Sequence, residues 1–131
     1  MNIEVYKDKI KEVAQKNKLK FVVLFGSYAK GKTHAKSDID IATYTEDTDT
    51  DMIALSMKFY EIFEREDVDL VDTRTASPDI QRTVSEEGVV LYESKPNVFL
   101  EWKLYASKIW IETRRFRIYR KERLLQFVKS L

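Results

Sequence analysis

The 131-residue chain contains no cysteine, one histidine, two prolines and three glycines. Without cysteine, neither a disulfide framework nor a cysteine-ligated metal site can form. No stretch reaches the roughly 18 apolar residues of a membrane span, and no N-terminal apolar segment resembles a signal peptide. These absences exclude a disulfide-stabilised secreted domain and predict a cytoplasmic location.

What is present is enough for one globular domain, because 44% of the residues are hydrophobic and 34% are charged. The total charge of +1 is unevenly distributed along the chain. Residues 101–131 contain nine Lys or Arg and three Glu, a net charge of +6, so the other hundred residues carry −5. A basic tail on a mildly acidic body indicates either a separate partner for each end or a solvated helix face.

Hydrophobic periodicity and turn residues divide the chain into alternating helices and strands. The predicted elements are, in order, helix 3–13, strand 19–25, strand 37–43, helix 52–63, strand 68–72, a helix between Ser77 and Gly88, strand 89–93, and a long helix beginning near Val98. This order predicts an α/β (α+β) domain with a small mixed sheet flanked by helices. Residues 98–131 contain no Gly or Pro, and one helix of that length would span about 50 Å, so it must bend, break or project.

Two acidic residues, Asp38 and Asp40, stand on one face of the second predicted strand, about 7 Å apart along the chain. Unpaired, the two carboxylates would repel each other, whereas a bound divalent cation would remove the repulsion. Carboxylate oxygens are ligands that suit Mg²⁺, and Mg²⁺ prefers sites where a substrate phosphate completes its shell. The pair therefore predicts a phosphate-binding element nearby.

The turn Gly26-Ser27 meets that requirement, because it directly follows a buried strand. Glycine lets the backbone approach an anion closely, the serine hydroxyl adds a donor, and the following loop is rich in lysine (Lys30, Lys32 and Lys36). A third carboxylate would allow two metal ions to be bridged. Asp69 is the preferred candidate because an unpaired acid in mid-strand is costly, whereas Asp72 is expected to end the strand.

The spacing Gly26-Ser27, ten residues, then Asp38-Ile39-Asp40 resembles the G-S-x10-D-x-D signature of the DNA polymerase beta-like nucleotidyltransferase superfamily. Within it, the segments LFGSYAKG, SDIDIA, VDLVD and TASPDIQRTVSEEGVVLYE are similar, in the same order, to those of the minimal nucleotidyltransferase (MNT) proteins. These are the antitoxin partners of HEPN-domain ribonuclease toxins. The resemblance covers about residues 19–93, and the tail is only loosely similar. Lys30 stands where the family usually has arginine, which keeps the charge but loses bidentate phosphate contact.

The resemblance implies transfer of AMP from ATP to a tyrosine hydroxyl of a cognate HEPN toxin, which neutralises the toxin. By position, Asp38, Asp40 and Asp69 would be the catalytic residues and would hold two Mg²⁺ ions. Gly26 and Ser27 would bind the β- and γ-phosphates. The implied partners are the HEPN toxin and ATP, with a second copy of the chain as an alternative. No membrane is expected, and nucleic acid ranks lower because the overall pI is not basic.

On the same reading, residues 1–96 form the nucleotidyltransferase core, and residues 97–131 form a helical extension packed on the core, on a partner, or on both. The stretch RRFRIYRKERLLQF (114–127) interleaves basic and apolar residues and is predicted to dock on the toxin or on a second copy. Two other functions remain open: a binding antitoxin that blocks the toxin sterically, and a nucleotidyltransferase acting on a small molecule such as an aminoglycoside.

Overall fold

The computed structural model describes residues 2–31 and 37–131, in which a four-stranded sheet carries helices on both faces. In chain order the elements are a 3₁₀ turn Ile3–Val5, α1 Lys7–Lys16, β1 Leu19–Phe25, α2 Ser27–Lys30, β2 Ile39–Thr45, α3 Met52–Phe63, β3 Val68–Asp72, α4 Pro78–Glu87, β4 Val89–Glu93, α5 Val98–Glu112 and α6 Arg114–Ser130. The predicted fold class is confirmed. None of the helices in this part of the chain is long and apolar enough to cross a bilayer.

The sheet has the strand order β3-β2-β1-β4 and is mixed. β2 runs parallel to β3, while β1 pairs antiparallel with both β2 and β4. The register places Asp40 of β2 between Phe25, the last residue of β1, and Asp69 of β3. The last residue of β1 and the acidic residues near the starts of β2 and β3 therefore lie side by side at one end of these strands.

The strand β1 is the centre of the molecule, because its alternate side chains enter two different hydrophobic cores. Val22 and Leu24 face the helices α1 and α3, whereas Phe21 and Val23 face α4 and α5. β2 differs from the prediction by two residues at each end, since it begins at Ile39 rather than at residue 37. Asp38 therefore lies just before the strand.

The predicted C-terminal helix is present but broken at Thr113 into α5 and α6. The Thr113 hydroxyl donates to the Ile109 carbonyl oxygen at 2.7 Å, a side-chain bond that commonly bends helices. Arg117 donates to the Trp110 carbonyl oxygen at 2.7 Å, and its guanidinium lies 3.4 Å from the centroid of the Trp110 ring. Arg82 of α4 lies over the same ring at 4.5 Å. These contacts fix the elbow between the two helices against α4.

Candidate functional site

The carboxylates that the sequence singled out lie near one another at one end of β2 and β3. Asp40 and Asp69 are directly in register on the parallel strands β2 and β3, and Asp38 precedes β2 by one residue. Burial raises the pKa of the Asp40 carboxyl above its ordinary value, and the nearby charges of Asp69, Asp38 and Glu87 raise it further. The three predicted aspartates therefore share one negative electrostatic environment.

Asp69 is placed as predicted but for a different reason. The prediction rested on the cost of an unpaired acid in mid-strand, but the Asp69 side chain is exposed, so that cost does not apply. Asp72 ends β3 as expected and is paired with Arg74 at 3.1 Å. It lies beside Thr43, three register positions from Asp69, and so takes no part in the acidic group.

Position 26 requires glycine for two reasons: the backbone conformation and the lack of room for a side chain. Its φ of +72° lies in the region that residues with side chains rarely adopt. A Cβ atom at this position would lie only 2.3 Å from Oδ2 of Asp40. The Asp40 carboxylate thus rests directly against the Gly26 backbone, and the predicted phosphate turn and the predicted metal ligand form one site.

Glu87, the last residue of α4, is a fourth carboxylate at this site. It accepts a hydrogen bond from the Gly26 backbone N–H at 3.2 Å and pairs with the Lys30 ammonium at 2.5 Å. The sequence analysis missed this residue, which lies 61 positions from Gly26 along the chain. The one available signal was an acid in the last turn of a helix, where the helix dipole disfavours negative charge. Lys32 and Lys36, the other predicted basic residues, lie outside the described residues.

The donor set suits a hard divalent cation, since every candidate ligand is a carboxylate oxygen. Within residues 2–31 and 37–131, however, no three His, Asp or Glu side chains are gathered closely enough to hold a metal ion by themselves. Mg²⁺ usually keeps several waters and shares its shell with substrate phosphates, so a partial protein shell is compatible with it. The crowded charge around Asp40 is the feature that a cation would relieve.

Comparison with known proteins points to one family. A sequence model for the family described as "Polymerase beta, Nucleotidyltransferase" matches residues 8–97. The curated protein adenylyltransferase MntA of Shewanella oneidensis is 44% identical over 78 residues, which cover 57% of this chain and 55% of the relative. The match thus spans only a little more than half the length of that relative.

Solved structures resemble the chain over nearly its whole length. A crystal structure described as a toxin-antitoxin with AMP-PNP contains a chain that matches with a TM-score of 0.78 and 28% identity, covering 95% of this chain and 99% of that one. A structure of the tri-AMPylated Shewanella oneidensis HEPN toxin in complex with MNT antitoxin matches with a TM-score of 0.72 and 26% identity, covering 94% and 98%. These alignments extend well beyond residues 8–97 and include most of the C-terminal helices.

Proposed function

Because the chain belongs to the polymerase beta nucleotidyltransferase family, we propose that it is an antitoxin that transfers AMP from ATP to a tyrosine hydroxyl of a cognate HEPN ribonuclease toxin. The observation that carries the proposal is the placement of Asp40 between Asp69 and the Gly26 turn. The similarity to the adenylyltransferase MntA and to the chain of a tri-AMPylated toxin complex supports AMP as the group and a HEPN protein as the acceptor. The proposal includes a cytoplasmic location.

In the proposed reaction, the tyrosine oxygen attacks the α-phosphorus of ATP, the bond to the β-phosphate breaks, and pyrophosphate leaves. Gly26 allows the triphosphate close to the backbone, and the Ser27 hydroxyl donates a hydrogen bond to a β- or γ-phosphate oxygen. The Asp69 carboxylate, exposed at the sheet edge, accepts the proton of the tyrosine hydroxyl. AMP attached near a ribonuclease motif would exclude RNA by its volume and its negative charge.

The proposal also includes two Mg²⁺ ions, which Asp38, Asp40 and Asp69 would hold together with the phosphates of ATP. When bound, Mg²⁺ neutralises the charge that develops on the transferred phosphoryl group and its leaving group. The supporting observation is geometric: Asp40 lies in register with Asp69 and two residues after Asp38, and the burial of Asp40 together with these nearby carboxylates raises the pKa of its carboxyl.

Mass spectrometry of the purified cognate HEPN protein, after incubation with this protein, ATP and Mg²⁺, tests the proposal. We expect an added AMP mass on a tyrosine-containing peptide and a loss of ribonuclease activity. An inhibited but unmodified toxin would instead support a binding antitoxin that acts sterically. Transfer of AMP to an aminoglycoside, with the HEPN protein unchanged, would support the small-molecule alternative.

Ser27→Ala is expected to weaken the use of ATP without abolishing it. The change removes one hydrogen bond to a charged phosphate, on the order of 1–3 kcal/mol, which lowers kcat/KM by about 5- to 150-fold. Steady-state kinetics at varied ATP concentration measures this effect. A loss as complete as that caused by removing an aspartate charge would show that Ser27 does more than hold phosphate.

Glu87→Gln is expected to strengthen ATP binding. The carboxylate occupies the Gly26 N–H and neutralises Lys30, and its charge repels an incoming triphosphate. Removing one negative charge near the phosphates should tighten binding by about fivefold, which corresponds to about 1 kcal/mol. Titration calorimetry with a non-hydrolysable ATP analogue measures it. Glu86→Gln is the matched control, because the neighbouring Glu86 pairs with Arg82 instead; equal effects of the two changes would refute a specific role for Glu87.

A further inference from the structure

The guanidinium of Arg65 joins the two chain segments on which the predicted site depends. It donates one hydrogen bond to the Tyr28 hydroxyl, on the residue that follows Ser27 in α2. It donates another to the Ser37 carbonyl oxygen at 2.7 Å, on the residue that precedes Asp38. Arg65 thus contacts the immediate neighbours of a predicted phosphate ligand and of a predicted metal ligand.

The guanidinium is itself held in place from a third direction. Nε of Arg65 donates to the Asp67 carboxylate at 2.7 Å, and the Asp67 backbone carbonyl accepts from the Ile39 N–H at 3.0 Å. The Arg65 backbone N–H is bonded to the Tyr60 carbonyl at the end of α3. The side chain of Arg65 is 28% exposed.

We infer that Arg65 is a positioning residue that sets the predicted phosphate turn relative to the start of β2, where the predicted metal ligands Asp38 and Asp40 lie. Along the chain, α2 is joined to the start of β2 only through residues 31–38. Arg65 links the two elements directly, through its hydrogen bonds to Tyr28 and Ser37. This inference rests on the proposed function, because Arg65 would position residues of the same candidate site. Arg65 itself would not contact the substrate.

Only an arginine suits this arrangement. A guanidinium is planar and presents up to five N–H donors in a fixed fork, so one side chain can satisfy a hydroxyl, a carbonyl and a carboxylate in set directions. Lysine would keep the charge and the pairing with Asp67, but its single ammonium on a flexible stem would leave the spacing of the two segments loose. A displacement of about 1 Å at reacting groups lowers rates by about 100-fold.

The test compares Arg65→Met and Arg65→Lys with the matched control Arg74→Met. Arg74 pairs with Asp72 across the same two-residue spacing at the other end of β3, and its side chain is similarly buried, with 21% exposed. We expect Arg65→Met to lower kcat for AMP transfer to the HEPN toxin by about 100-fold. KM for ATP should change by less than about threefold, because the phosphate ligands themselves remain. Arg65→Lys should recover the melting temperature while kcat stays low.

Arg74→Met should lower the melting temperature about as much as Arg65→Met and leave kcat near the wild-type value. A similar loss of kcat in both methionine variants would overturn the inference, since it would then reflect general loosening of the fold. Full recovery of kcat by Arg65→Lys would also overturn it. Failure of the proposed function is separately visible, because the wild-type protein would then transfer no AMP at all.

Discussion

Asp40→Asn is expected to lower AMP transfer by about 1000-fold or more. The substitution removes the charge of the carboxylate that lies against Gly26 and beside Asp69, so the site can no longer hold a cation next to the triphosphate. Charge stabilisation of this kind contributes several kcal/mol to the transition state, and about 4 kcal/mol corresponds to about 1000-fold. Single-turnover transfer of labelled AMP to the HEPN protein measures the loss, and Asp38→Asn should behave in the same way.

The same substitution is expected to leave the protein without nucleotide or metal at least as stable as the wild type. A raised pKa means that the folded state disfavours the charged Asp40 carboxylate, so the penalty is full above the raised pKa and vanishes below the unfolded value of 3.8. The asparagine side chain of the variant carries no charge and avoids the penalty. Melting temperatures measured in EDTA should therefore favour the variant at pH 7, by a margin that shrinks as the pH falls toward 4.

Asp72→Asn provides the control, since Asp72 lies three register positions from Asp69 and is paired with Arg74. It should cost stability and keep most of the transfer activity. Near wild-type transfer by Asp40→Asn in the presence of Mg²⁺ would show that the site is wrongly assigned. A large fall in its melting temperature would instead indicate that Asp40 has a structural role.

Removal of residues 118–131 is expected to release the protein from the proposed HEPN partner while leaving ATP binding intact. α6 is exposed along its length except at Arg117, and seven of its apolar residues lie outside both hydrophobic cores with about half or more of their surface exposed: Phe116, Ile118, Tyr119, Leu124, Leu125, Phe127 and Val128. The cognate HEPN toxin of the proposed function is the occupant expected for this surface. A cut after Arg117 retains its contact with Trp110.

Size-exclusion chromatography and titration calorimetry with the purified partner measure the result. Two or more apolar anchors at about 2 kcal/mol each predict a rise in Kd of more than about 100-fold. The pair Leu124→Ser and Phe127→Ser should reproduce most of this effect in the full-length chain. The pair Ile53→Ser and Met57→Ser, exposed on α3, is the matched control and should bind normally. An unchanged complex after truncation would rule out α6 as the docking element.

Most of the fold could be predicted from local patterns, because the signals lay within a few residues of one another. β1, α3, β3 and β4 have the predicted bounds, and Ser77 caps α4 by accepting from the Ile80 N–H. Asp51 likewise caps α3 by accepting from the Ile53 and Ala54 amides. The break at Thr113 was not located, because it arises from side-chain hydrogen bonds and not from a glycine or proline.

The candidate site was predictable only in part, because only some of its residues are marked by signals that are local in the sequence. The spacing of Gly26 and Asp40 is local and family-like, so both were identified. Glu87 and Arg65 enter the site through long-range contacts that depend on how α4 and α3 pack on the sheet. Glu87 lies in the family-like segment TASPDIQRTVSEEGVVLYE and Arg65 lies in none of the quoted segments, but nothing local indicates either contact, which only the tertiary structure creates. The assignment of metal and phosphate ligands stays a prediction until the variants are measured.

The contacts around Trp110 connect the start of α6 to α4, so that α6 can turn about this point as a rigid arm. Its 17 residues extend for about 25 Å beyond Thr113, so a rotation of about 5° at the pivot would move the far end by about 2 Å. Arg82 of α4 lies over the Trp110 ring, and α4 ends at Glu87, which accepts a hydrogen bond from the Gly26 N–H in the predicted phosphate turn. A small tilt of α4 on nucleotide entry would therefore produce a larger displacement at the C-terminal end of α6. In the opposite direction, a partner bound to α6 would act on the Gly26 turn through α4.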